Sequence, residues 1–430
     1  MVKGPLHYAN FRRTFFARIV SGAGSWMQTV AAGWLVYEIT ESAAAVGVLT
    51  VVSRGPGILL SGLGGQLADR YDGRRLIILL SLIELVAAAV LAVFGWTEGT
   101  EGGVVPIYVA VLVIGSAGAL ASAAQQTVVT ASVPPELSKR ATGLASVAFN
   151  ISRLVGPALG GVLVVAVGVG WCFALNAVSY LFVALAVWGI SLPRRQHSQP
   201  RRLKEAAGIV RRDVLLRDLM IGAALFSLIV APIQELAPAI AAAHGEGAHL
   251  LGFLLAAMAL GGIIGNRIRV HLEKRGAGNT LLISSALFAG ALALALLGLT
   301  SAAGIGIFGS DTYDYALAVV AMVFGGIAWD LIYVVGMTGI QLRDENVAGV
   351  MIGLFLTVTI TALTVGALAM GFLFDYVGLG ATLLVGGGLM AAIALRFSLR
   401  GVADPGAQPA PHNIDRCPAP AIARSSPARR

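Results

Sequence analysis

The chain has 430 residues, of which 57% are hydrophobic and 12% charged, with a mean hydropathy of +0.83. A soluble domain carries about 25% charged residues to cover its surface, and a disordered chain is poor in apolar ones, so both classes are excluded. What remains is a protein whose surface faces lipid, and 54 glycines without a G-X-Y repeat fit membrane helices.

A helix that crosses a bilayer needs about 20 mostly apolar residues. Twelve such stretches are predicted, at 15–39, 44–67, 76–96, 105–129, 141–167, 171–190, 219–240, 250–268, 280–300, 315–338, 348–374 and 382–397. Strands of a membrane barrel would alternate apolar and polar residues over about 10 positions. These runs are continuous and longer, which predicts an all-α membrane protein of twelve transmembrane helices.

Loop charge orients the spans, because Lys and Arg accumulate on the cytoplasmic side. Of the 30 basic residues, 27 fall on the side shared by the two termini, among them Arg70, Arg74, Arg75, Lys139, Arg140, Arg267 and Arg343. The other three, Arg18, Arg54 and Arg153, lie inside spans, while the opposite loops carry Glu38, Glu41, Glu98, Glu101, Glu246, Asp311 and Asp314. Both termini are therefore expected in the cytoplasm. This bias, with attraction to anionic lipid head groups, accounts for the net charge of +8 without nucleic acid. Cys172 and Cys417 fall on opposite sides of the membrane and cannot pair. The first apolar run is too long for a signal-peptide core, so it reads as a retained span.

The polar segment 191–218 divides the chain into a six-helix half at 1–190 and another at 219–398, with a Pro-, Ala- and Arg-rich tail at 399–430 that reads as disordered. Many transporters repeat halves in this way around a site at the bilayer midplane. The halves share a turn. Between the second and third spans the chain reads Gly65-Gln-Leu-Ala-Asp69-Arg70, and between the eighth and ninth Gly262-Ile-Ile-Gly-Asn266-Arg267.

On these residues the chain resembles the major facilitator superfamily. GGQLADRYDGRRL, at 64–76, is similar to that family's signature loop. In the fifth span Gly143, Ser152, Gly156, Pro157, Gly160 and Gly161 resemble its antiporter motif, with Ser152 in place of one glycine. ARIVSGAGSWMQTVAAGWLVYEIT in the first span and FNISRLVGPALGG in the fifth resemble an exporter branch of siderophore exporters and multidrug efflux proteins. The resemblance reaches to about Arg400. It implies the major facilitator fold, a multi-pass position in the bacterial inner membrane, a functional monomer, and small-molecule substrate and protons as partners in a lipid bilayer. The fourth span lacks the arginine of many drug–proton antiporters, so a relay through it is not implied.

The resemblance also assigns roles. Asp69 would meet the start of the eleventh span near 348–350 and, with Gly65, Arg70, Arg74 and Arg75, latch the halves in the outward-facing state; the plainer reading is a charged loop that sets topology. The small residues of the fifth span would form a rocking surface against the eighth span, or simply a tight packing seam.

Charges inside spans are costly and mark function by default. Asp330 and Glu84 are the candidate proton carriers, since burial favours the protonated form of a carboxyl in general. Glu84 is equally well read as a structural partner of Arg18. Arg54, Arg153, Trp26, Gln28, Gln125, Asn150 and Tyr333 are candidates to line the substrate cavity, each also readable as helix–helix glue or an interfacial anchor. Two arginines to one aspartate at half depth tilt the substrate toward an anionic or neutral amphipath. The leading expectation is a proton-coupled exporter of compounds such as siderophores or drugs. Alternatives are an importer or facilitator, or a membrane receptor or scaffold. No G-x-S-x-G, H-E-x-x-H or G-x-x-x-x-G-K-[ST] occurs, so no enzyme, cofactor or metal is expected.

Overall fold

The structure is a computed structural model that describes residues 4–97, 99, 101–190, 208, 210, 213–244, 247–302, 311–341 and 348–403. The tail beyond 403 and most of the 191–218 segment lie outside it. The first six helices are α1 (Ala9–Thr40), α2 (Ala43–Arg70), α3 (Gly73–Thr97), α4 (Val105–Ala131), α5 (Ser138–Val167) and α6 (Val169–Val187). The seventh span is broken into α7 (Val214–Ile229), α8 (Pro232–Glu235) and α9 (Ala237–Ala243). Then come α10 (Gly247–Lys274), α11 (Asn279–Ala302), α12 (Asp311–Gln341), α13 (Ala348–Val377) and α14 (Leu379–Ala403).

Local chemistry sets several ends. Ser42 caps α2 by accepting from the Ala45 N–H, and Asp213 caps α7 by accepting from Leu216. Gly168 and Gly378, at φ +89° and +98°, turn the chain within one residue from α5 into α6 and from α13 into α14, so consecutive spans run antiparallel. The second half starts at Val214, inside the predicted linker, because the cap at Asp213 carries the helix past the polar Arg217 and Asp218.

Eleven helices among the described residues are long and apolar enough to cross a membrane. The predicted span at 15–39 falls on α1, which is 32 residues long but not among the eleven. Ser21, Ser25, Gln28 and Thr29 dilute its apolar character, and it is spent inside the bundle, where Met27, Ala31, Leu35 and Val36 are buried. Elsewhere large apolar side chains point outward, such as Leu59 at 78% and Val385 at 72% exposure, as helices facing lipid require.

In the first half α3 packs on α6, α1 on α5 and α2 on α4; in the second α11 packs on α14 and α10 on α12. The halves meet chiefly where α2 crosses α13 and α5 crosses α10. These crossings lie on the far side, opposite the ends from which α1 starts and α14 leaves. There Gly47 stacks on the backbone of Ala367 and Leu368, Gly371 on Ala43, and Gly161 on Gly252. Toward the terminus side, a Cβ added at Gly62, Gly65, Gly143 or Gly353 would meet no described atom within 4 Å. Among the described residues, the close backbone crossings between the halves lie on the far side.

At the α5–α10 crossing a Cβ on Gly161 would stand 2.2 Å from the Gly252 Cα, a separation only backbone movement can relieve. Gly161→Ala is expected to destabilise the protein by about 1–3 kcal/mol. Gly143→Ala, in open space, should leave stability unchanged. Thermal unfolding of the two variants in detergent compares them directly.

Candidate functional site

The broken seventh span builds the site. Pro232 and Pro238 sit in the first turns of α8 and α9 and prevent one continuous helix, so Gln234 and Glu235 project between the halves. Arg54, near the middle of α2, donates from Nη2 to Glu235 Oε1 at 2.5 Å, with side chains 27% and 6% exposed. Trp26 of α1 lies 6.0 Å from the Arg54 guanidinium. Arg153 of α5 reaches across to Gln234 Oε1 at 3.3 Å and stands 4.3 Å over the Trp329 ring of α12, a cation–π contact. Trp329 stacks on Tyr333 at 4.7 Å, Phe226 and Phe355 close the row edge-on, and the Tyr333 hydroxyl lies 3.4 Å from Ser227 Oγ.

The first half thus contributes Trp26, Arg54 and Arg153, and the second contributes Gln234, Glu235, Trp329 and Tyr333. The cleft left between Trp26, Pro157, Gln234, Glu235 and Pro238 is only about 20 Å³, room for roughly one water. The charge balance differs from the sequence expectation. Glu235 neutralises Arg54 because the helix break brings it down beside that residue, so two arginines stand with two carboxylates, Glu235 and Asp330, and the excess of one arginine is gone. Asp330 follows Trp329 on α12; its Oδ2 is buried without a hydrogen-bond partner, and Gly265 of α10 leaves it room, since a Cβ there would stand 3.2 Å from the Asp330 Cβ. Arg269, nearby in the electrostatic field of Asp330, is occupied by Glu273 and Asn266 at 2.7–2.9 Å.

Other candidates lie elsewhere. Glu84 and Gln125 line a separate cavity within the first half, together with Arg18. The alternative of a Glu84–Arg18 ion pair is not realised, since among the described residues neither has a charged partner within 4.0 Å. Gln28 is buried and accepts from Asn176 Nδ2 at 2.8 Å, so it joins α1 to α6 and does not face a cavity. The small-residue stripe of α5 splits: Gly156 and Gly160 pack on α1 at Ala23, Trp26 and Met27, and Gly161 alone reaches α10. Ser152 donates to the carbonyls of Ile19 and Ala148. Arg70 and Arg75 are exposed, and the backbone N–H of Arg74 donates to Asp72. The side chains of Asp69, Asn150 and 348–350 lie outside the described residues.

Sequence reasoning missed Gln234, a polar neighbour of Glu235 flanked by prolines within an apolar run, which is the signal that marks a broken helix at a binding site. It also missed Asp375, at the far end of α13. Asp375 accepts from Ser42 Oγ at 2.6 Å and from the backbone N–H groups of Ala43 and Ala44 at 2.9 and 3.0 Å. A carboxylate of one half thereby caps the N-terminus of α2 in the other, where the helix dipole favours negative charge. Asp375→Ala is expected to cost about 0.5–2 kcal/mol of this closure. Spin labels at Thr97 and Tyr376, exposed on the far ends of α3 and α13, should report a longer or broader distance in the variant.

Long apolar helices that meet around a charged and aromatic cluster fit a multi-pass membrane transporter of major facilitator type. The chain belongs to the transmembrane secretion effector family, whose profile matches residues 3–426. It is similar to the enterobactin exporter EntS of Salmonella typhi, 28% identical over 266 residues that cover 59% of this chain and 62% of that protein. The EntS of Escherichia coli O1:K1 / APEC is 27% identical over the same shares. The match thus spans less than two thirds of the length of these relatives. Among solved structures, a POT family transporter in complex with 5-aminolevulinic acid superposes with a TM-score of 0.70 at 12% identity, covering 91% of this chain and 96% of that one. A bacterial homologue of the human lysosomal transporter Spinster, in an inward-facing and unoccupied conformation, gives 0.63 at 16% identity over 94% and 96%. At these identities the likeness is one of fold.

Proposed function

We propose that the chain is a proton-coupled exporter of amphipathic small molecules, siderophores or drugs among them, working by alternating access as a monomer with twelve spans and both termini in the cytoplasm. The observation that carries this reading is the cluster where the halves meet: Arg153 over the Trp329–Tyr333 stack, with the buried Asp330 beside it. With the termini inside, the close crossings of α2 on α13 and of α5 on α10 lie toward the outside. Arg153 over the Trp329–Tyr333 stack suits a ring-bearing substrate with a neutral or anionic head. Asp330, without a hydrogen-bond donor at Oδ2, and Glu84 supply the carboxyls for proton exchange. Glu235, Asp375 and the glycine crossings form the outer gate, while the Gly65–Arg75 loop supplies the inner latch when the halves rock.

Uptake into inside-out proteoliposomes with an imposed proton gradient tests the reading. Accumulation of at least one acidic or neutral aromatic amphipath, abolished by a protonophore, is the expected result. If acidic, neutral and cationic amphipaths all fail to move with the gradient, the exporter reading fails.

A further inference from the structure

The cavity inside the first half is distinct from the central cleft. Its volume is about 230 Å³, all its lining comes from the first six helices, and none of Trp26, Arg54, Arg153, Trp329 or Tyr333 borders it. That is below the roughly 300–1,000 Å³ that holds a drug-sized molecule, and it suits a ligand of amino-acid size. It is built for something polar. Arg18 of α1 and Glu84 of α3 both line it, joined by Ser25, Ser81, Gln125 and Tyr180. Glu84 is 6% and Ser81 1% exposed; Glu84 has no described hydrogen bond or ion pair, and the Ser81 hydroxyl is buried without a partner. A Cβ at Gly118 would stand 3.1 Å from Glu84 Oε1, so the missing side chain leaves the carboxylate its room.

Arg18 and Glu84 line one cavity without meeting, so among the described residues each lacks a charged counterpart, and Glu84 meets the cost of burial with a proton until a cation replaces it. A metal or ammonium ion alone would satisfy only Glu84, and an anion only Arg18. A molecule that carries both charges satisfies both, and hydroxyls on the wall can bond its polar side chain. We propose that this cavity binds a small zwitterion of amino-acid size, its ammonium at Glu84 and its carboxylate at Arg18. The ammonium then occupies the place of the proton assigned to Glu84 above, but binding requires no particular direction or coupling of transport.

Isothermal titration on the purified full chain in lipid nanodiscs, without a gradient, tests the proposal. The probes are glycine, L-serine, L-glutamine, L-phenylalanine and glycine betaine, with L-glutamine amide as a cation, N-acetyl-L-glutamine as an anion, and sodium chloride. At least one zwitterion should bind, and at least tenfold more tightly than either single-charge analogue. Arg18→Gln and Glu84→Gln should each weaken that binding at least tenfold while thermal unfolding shows the protein folded; Gly118→Val, which fills the space beside Glu84 and keeps both charges, should do the same. Binding of sodium or the amide as tight as that of the zwitterion would reduce the site to a cation site. Absence of binding by all five zwitterions, or binding untouched by Arg18→Gln, overturns the proposal. Failure of export with this binding intact would sink the transport reading alone.

Discussion

Glu235→Gln is expected to slow gradient-driven transport at least tenfold, and Arg54→Met to do the same, while the exchange Arg54→Glu with Glu235→Arg recovers most of the rate. Removing one member of a buried ion pair leaves the other charge uncompensated, at a cost of about 3–5 kcal/mol when the pair is fully desolvated. Here Arg54 keeps 27% exposure, so the cost is smaller; yet roughly 1.4 kcal/mol already changes a population tenfold. The pair joins α2 of one half to α8 of the other, so its loss penalises the arrangement closed on the far side and shifts the protein toward the alternative. A cycle that must return through the closed state then stalls. Transport in proteoliposomes gives the rate, and the Thr97–Tyr376 label distance gives the population. Single variants that transport normally, or an exchange that recovers nothing, would remove the pair from the gate.

Arg54 and Arg153 stand out in the sequence by their rarity within apolar runs; what they touch does not. The partner of Arg54 lies 181 residues away in the other half, and no local pattern encodes that meeting. Depth along a helix misled in a different way for Arg18 and Glu84. Equal depth suggested a pair, but α1 and α3 present the two residues across a cavity that keeps them apart. The α5 motif shows why spacing alone assigns no neighbour. Gly156 and Gly160 are four residues apart and share a face, which falls on α1, whereas Gly161 is turned about 100° further and reaches α10. Spans were readable wherever apolar runs were continuous. Their ends were not, because α1 and α12 extend into polar sequence at Ala9 and Gln341 on backbone hydrogen bonds that hydropathy does not register. Asp375 drew no notice in the sequence because its acceptor role depends on the N-terminus of a helix in the other half.

Asp330→Asn is expected to abolish proton-driven accumulation, by at least a hundredfold, while leaving substrate affinity within about twofold. The side chain sits behind the aromatic row and not in it: Trp329 and Tyr333 carry the contacts to Arg153 and Ser227, and Asp330 points its Oδ2 to a buried position with no donor. A carboxyl in such a place meets its desolvation cost with a cation or with a proton. Arg269 is held by Glu273 and Asn266, and Arg153 is drawn to Gln234, so neither forms an ion pair with it among the described residues. If the cation alternative held, freeing Arg269 by Glu273→Gln would change coupling as much as Asp330→Asn does. If the proton alternative holds, Asn, which has the shape of the neutral acid but exchanges no proton, should freeze the coupling step and spare downhill exchange of substrate. The decisive measurement is therefore the ratio of gradient-driven accumulation to substrate counterflow in the same vesicles: a fall in accumulation with counterflow retained assigns the proton to Asp330, and an unchanged ratio removes it from the mechanism.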